Sequence, residues 1–197
     1  MRFPASSDGY CHSGLDTTMY FTIGQVKYAT MIFATYEYQD KSRSECHACA
    51  PRLGIAIFKK ESKQNWEIFE FRKNFTSFGQ WGKLDGKMAI VKLGKDKYCL
   101  KLKSAIEGGQ GYNSGYISFY SLTSYYGLHE IFSYTYFHST VGAHGEKNGF
   151  IDEMSLKLIP DNNEYNLIEI STKNSHSKVI KKSVFKFSDN SERYEVK

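Results

Sequence analysis

MAIVKLGKDKYCLKLK, residues 88–103, decides the fold class. In its second half Tyr98, Leu100 and Leu102 alternate with Cys99, Lys101 and Lys103. Strict alternation is the period of a strand with two different faces, because successive side chains point to opposite sides. The tetrapeptide GKDK between the halves is short enough to be a hairpin turn, with Gly94 where a positive φ is expected. Cys99 is thereby placed on the face opposite Leu100.

The same rhythm extends in both directions. QVKYATMIFATYEYQD (25–40) is β-branched and aromatic and reads as one long strand. RLGIAIFKK and NWEIFEFRKNF, separated by ESKQ, read as a hairpin. YISFYSLTSYYGLHEIFSYTYFHS supplies two strands, FIDEMSLKLIP and EYNLIEISTKN pair across DNN, and SVFKFSDNSERYEVK closes the chain with two more. About eleven strands result, joined mostly by short polar turns, and no segment sustains a 3.6-residue apolar period. The expectation is an all-β chain: residues 1–24 as an irregular N-terminal segment, and 25–197 as a single antiparallel β domain built from hairpins. A sandwich or partly open barrel leads, with a propeller-like meander as the alternative. Three glycine-rich stretches, 79–86, 108–115 and 142–149, read as loops that carry specificity on a rigid scaffold.

Composition narrows the function classes. A chain of 197 residues can bury a core without help from its cysteines. The formal charge of +5 is mild and spread along the chain, which argues against a nucleic-acid partner. No run approaches the ~20 apolar residues of a membrane-spanning helix. MRFPASSDGYCHSGLD has no apolar signal region and reads like the start of a mature exported chain, with Met1 in place of a removed signal. A cytosolic protein would be able to start the same way.

The densest chemistry is ECHACAPRLG, residues 45–54. Cys46 and Cys49 have the spacing of a local disulfide, of a redox pair and of half a zinc site. A redox role calls for a helix after the pair, whereas the following residues read as a strand. A metal role calls for more ligands, for which His47 and His12 are the candidates. A staple is the leading expectation, with Cys11 and Cys99 as a complementary second bridge. No cofactor is expected.

Other constellations are weaker. His129, Glu130, His138, His144 and Glu146 fall within one stretch, but His129 and Glu130 adjoin and would point to opposite faces. G-x-S-x-G is absent, and GGQGYNSG lacks the context of a phosphate loop. Asn74-Phe75-Thr76 matches a glycosylation acceptor, which matters only in a eukaryotic secretory setting. Tyrosines crowd residues 112–136, and Trp81, Tyr112, Tyr116, Tyr125, Tyr126 and His144 are the candidate binding residues on or beside the glycine loops.

CHACAPRLGIAIFKK, Trp66, FGQWG at 78–82, QGY at 110–112 and the closing hairpin together resemble a scattered group of exported bacterial proteins. That group carries a CHxC-x-P-x-L-G segment, an FGxxG segment and a QGY segment. The resemblance covers about residues 26–125 and the end of the chain. It implies a bacterial envelope location and no established activity, and it carries no catalytic residue. The function expected is therefore a non-enzymatic periplasmic or secreted protein that binds a macromolecular partner, such as an inhibitor or an immunity protein paired with a toxin. A redox or metal protein centred on CHAC and a glycan- or peptidoglycan-binding module are the alternatives, and an unrecognised hydrolase remains open.

Overall fold

The computed structural model describes residues 2–4, 9–39, 42–44, 46, 49–61, 65–107, 111–123, 127–161, 164–177 and 179–197. Fourteen strands and one short helix occur among them. The chain is all-β and its contacts cluster into two compact units, Met1–Gly86 and Lys87–Lys197.

The first unit is one antiparallel sheet in the order β1-β2-β3-β5-β6, with the two-residue β4 on β3. Its strands are β1 (Arg2–Pro4), β2 (Gly9–Ile23), β3 (Val26–Gln39), β4 (Ser42–Arg43), β5 (Arg52–Glu61) and β6 (Glu67–Ser77). Residues 9–23 were expected to be irregular, and this is corrected. They form β2, paired with β3 from Gly9↔Gln39 to Ile23↔Val26. The alternation of β2 is hidden by a bulge between Leu15 and Thr17, which shifts the inward parity halfway along the strand. β1, β2 and β4 account for the difference from the eleven strands expected.

Register assigns each side chain to a face, since cross-strand partners share one. One face carries Ile32, Ile55, Ile57, Leu53 and Thr30, all at most 1% exposed. The other carries the row Tyr20–Ala29–Phe58–Ile68 and the neighbouring row Met31–Ala56–Phe71. Ala29 and Ala56 are buried, yet Tyr20, Ile68 and Phe71 are 70%, 69% and 61% exposed. Tyr20 and Trp66 approach to 6.5 Å between ring centroids across this face. The sheet is therefore apolar on both sides, and only one side is covered within the described residues.

The second unit is an eight-stranded antiparallel meander, β7 to β14 in sequence order. Its strands are β7 (Lys87–Gly94), β8 (Lys97–Glu107), β9 (Asn113–Ser121), β10 (Glu130–Ser139), β11 (Ile151–Ile159), β12 (Leu167–Asn174), β13 (Ile180–Ser188) and β14 (Arg193–Val196). The sheet coils until the start of β14 reaches the start of β10. There Arg193 donates to the Glu130 carbonyl oxygen at 3.1 Å and to its carboxylate at 3.3 Å. Phe132 packs 5.0 Å from Phe185 and 5.5 Å from Tyr194, and Tyr165 stacks on Phe187 at 3.9 Å. These rings, with Cys99, Ile117, Phe119, Ile168 and Ile170, form the core of the unit. Among the described residues neither sheet closes into a barrel.

Two local expectations change. The hairpin of residues 88–103 forms as read, but the positive φ falls on Asp96, at 56°. Gly94 is required for another reason: a Cβ there would meet the Glu164 carbonyl oxygen at 2.0 Å, where Gly94 bridges to Tyr165. The stretch 142–149, read as a loop, lies almost wholly in helix α1 (Val141–Asn148), which kinks at Gly145 with φ 73°. Two glycines and a histidine within its eight residues, and a third glycine at its C-cap, hide this helix from propensity alone.

Candidate functional site

The CHAC segment is a closed loop. Cys49 donates its backbone N–H to the Cys46 carbonyl oxygen at 2.9 Å, which makes a tight turn, and the two sulfurs are joined in a disulfide with Cα atoms 5.0 Å apart. Cys46 is exposed and Cys49 half-buried. His47 lies outside the described residues.

The second motif, FGQWG, docks on this loop. Gly82 donates its N–H to the Cys49 carbonyl oxygen at 2.5 Å, and Arg43 donates through Nη1 to the Gly82 carbonyl oxygen at 3.4 Å. Gly82 has φ +65°, and a Cβ on it would stand 2.2 Å from the Ser44 carbonyl oxygen. Phe78, at the start of the motif, is buried and donates its N–H to the Pro51 carbonyl oxygen at 3.0 Å. Trp81 sits between two constrained glycines with φ 54° and is partly exposed. Two motifs distant in sequence thus hold one another in place.

A cavity of about 270 Å³ lies beside this junction, lined by Tyr36, Glu37, Cys49, Pro51, Arg52 and Ser77 among others. Its charges are matched internally. Arg52 pairs with Glu37 at 2.7 Å. The Arg43 guanidinium lies 4.2 Å from the centre of the Tyr36 ring. Burial pushes the Tyr36 hydroxyl above its ordinary range, partly opposed by Arg43. Such a niche can receive a small polar group from a partner. Among the described residues it presents no nucleophile held by a base.

Cys11 and Cys99, read as a second bridge, are both free thiols. Cys99 is wholly buried in the core of the second unit, where burial pushes its thiol far up and leaves it protonated and inert. The alternation of β8 put Cys99 correctly opposite Leu100, but both faces are buried at that point, so the face opposite Leu100 is not a surface. His12 is exposed and edge-on to Tyr38 at 6.5 Å. Cys46 and Cys49 spend their sulfurs on each other, and among the described residues no group of three or more His, Cys, Asp or Glu side chains gathers to hold a metal.

The second unit brings other candidates together. Gly111, from the QGY motif, meets helix α1: a Cβ on it would lie 2.2 Å from the Gly142 carbonyl carbon. This close approach sets the Tyr112 hydroxyl 3.0 Å from Nε2 of His144. Ser114 Oγ and His138 Nδ1 are 2.8 Å apart, and the His138 ring packs on Phe150 at 5.6 Å. Asp152 is the cross-strand neighbour of His138, but its carboxylate accepts from Asn174 Nδ2 at 2.7 Å. His129 is clamped between the carbonyl oxygens of Gly127 and Glu192, at 2.9 and 3.2 Å, and helps fasten β14 beside β10. Tyr116 is partly exposed on β9 itself rather than on a loop. Tyr125 and Tyr126, and the side chain of Glu146, lie outside the described residues.

Sequence reasoning missed the exposed apolar face of the first sheet. Its signal was present in EIFEF, where Ile68, Phe69 and Phe71 place apolar groups on both parities of one strand. Among the described residues no helix is long and apolar enough to cross a membrane. No family model, curated protein or solved structure matches this chain.

Proposed function

We propose that the protein is a non-enzymatic, exported β protein, periplasmic or secreted, that binds a macromolecular partner. An inhibitor, or an immunity protein paired with a toxin, is the concrete form. The observation that carries this reading is the uncovered face of the first sheet, where Tyr20, Ile68 and Phe71 stand well exposed and Leu15 and Trp66 extend the patch. Exposed apolar patches of this extent on a folded chain mark interaction surfaces, and aromatic anchors commonly dominate their binding energy. The Cys46–Cys49 disulfide fits an oxidising compartment.

The test is affinity capture from an envelope extract with the wild type and with the Ile68→Glu/Phe71→Glu variant. A defined protein retained by the wild type and lost by the variant, at unchanged melting temperature, supports the reading. Identical capture by both, or none by either, removes it. A second reading, thiol–disulfide exchange, is favoured by the exposure of Cys46, whose disulfide partner Cys49 lines the cavity. It requires the wild type to oxidise a dithiol substrate faster than Cys46→Ala/Cys49→Ala.

A further inference from the structure

β10 and β11 are neighbours in the second sheet, ten and nine residues long, yet they pair only over Phe137↔Glu153, His138↔Asp152 and Ser139↔Ile151. The cause is local. A bulge at Tyr136 breaks the register of β10 against β9, between Thr135↔Tyr116 and Phe137↔Gly115. Bulges bend a strand, re-aim a side chain and end pairing. Here the Tyr136 ring is turned back over β9. It occupies the space a side chain at residue 115 would take, since a Cβ on Gly115 would lie 2.4 Å from its Cζ. Lys103 Nζ caps the ring at 4.0 Å from its centre. Beyond the bulge β10 departs toward β14, where Arg193 meets Glu130, and β11 stays with β12.

A cleft of about 480 Å³ opens where the strands part, lined by Tyr136, Phe137, Glu153, Met154, Ser155 and Lys173 among others. Each wall is a strand hydrogen-bonded on one side only. β10 pairs with β9 and β11 with β12, but Ile131–Tyr136 and Met154–Ile159 have no ladder between them. The side chains along the split come in two sets. Tyr134, Met154, Leu156 and Leu158 pack against the core but are only half-buried. Ser155, Ser171 and Lys173 face outward, with Glu153 opposite Lys173.

The geometry points to this cleft as an acceptor for an extended polypeptide strand of a partner, bound by backbone pairing to the free edge of β10 or β11. The chemistry that recognises such a ligand is a row of backbone donors and acceptors. The two sets of side chains define its pattern. Residues pointing inward meet Tyr134, Met154 and Leu156 and must be apolar. Residues pointing outward meet Ser155, Ser171 and Lys173 and must be polar. The site is separate from the apolar face of the first sheet and stands without it.

The probe is a pool of capped peptides of about eight residues, long enough at ~3.3 Å per residue to follow either edge. Val, Ile or Tyr alternates with Thr, Ser, Lys or Glu. A twin pool is N-methylated at alternate residues, which removes donors without changing the side chains. Hydrogen exchange of the full chain is read with each pool. The expected result is saturable protection of amides within 131–136 or 154–159, lost by roughly tenfold or more in affinity on N-methylation, as the removal of several backbone hydrogen bonds requires. Ser155→Tyr, on the exposed outer wall, abolishes the protection at unchanged melting temperature, with Ser171→Tyr as the independent plug if the first destabilises the fold. No saturable protection, protection confined to other strands, or equal binding of the N-methylated pool overturns the proposal.

Discussion

Gly82 donates its backbone N–H to the carbonyl oxygen of Cys49 at 2.5 Å, so the turn that carries Trp81 is anchored on the disulfide loop. The anchor depends on glycine twice over. The residue sits at φ +65°, and the space of its Cβ is taken by the Ser44 carbonyl oxygen at 2.2 Å. Gly82→Ala combines backbone strain with a clash against main chain that cannot swing away. A loss of about 2–4 kcal/mol is expected, read by chemical denaturation. A loss under ~0.5 kcal/mol shows that the two loops do not constrain each other.

Breaking the disulfide loosens the same junction from its other side. The ring it closes has a sequence separation of only 3 residues, so chain entropy alone accounts for about 2 kcal/mol. Cys46→Ala/Cys49→Ala should lower the melting temperature by roughly 4–8 °C in a chain of this size. Trp81 is coupled to Cys49 through Gly82, so its fluorescence should become more accessible to a soluble quencher. A Trp66→Phe background leaves Trp81 as the single indole reporter. Unaltered quenching breaks the link between disulfide and turn.

The two faces of the first sheet should answer differently to truncation. Ile57 is 1% exposed and its truncation to alanine removes a fully buried side chain, for a loss of about 2–5 kcal/mol. Ile68, one strand away on the opposite face, is 69% exposed. Its truncation should cost under ~1 kcal/mol, chiefly through strand propensity. Equal losses measured by urea unfolding place a covering layer over Ile68 in solution.

Alkaline pH should unfold the second unit. Burial pushes the hydroxyls of Tyr134 and Tyr165 up to about 12, and that of Tyr194 further still, from an ordinary value of 10.0. The folded state therefore holds these protons more tightly than the unfolded chain. Their contribution to stability is complete below pH 10 and is lost as pH rises from 10 toward 12 and beyond. Unfolding by circular dichroism should coincide with a cooperative rise in tyrosinate absorbance in that window. Gradual ionisation without unfolding places these rings in water.

Alternation at Tyr98–Lys103, the apolar runs of residues 25–40 and 151–159 and the polar turns between them determined by themselves that the chain is antiparallel β, because each signal is local and has the period of the strand. The Cys46–Cys49 staple was equally legible, since three residues of separation allow a bridge whatever the surroundings. Tertiary structure alone decided the rest. β2 was hidden by its own bulge, and α1 by its glycines. A Cys11–Cys99 bridge was excluded by where the core of the second unit formed, with Cys99 inside it. The meeting of FGQWG with Cys49, of Gly111 with α1, and the parting of β10 from β11 all depend on main chain approaching main chain at Gly82 and Gly111, or on a ring lying over Gly115. A glycine in a sequence records only a missing side chain. What fills that space comes from residues far along the chain, and only the folded molecule brings them there.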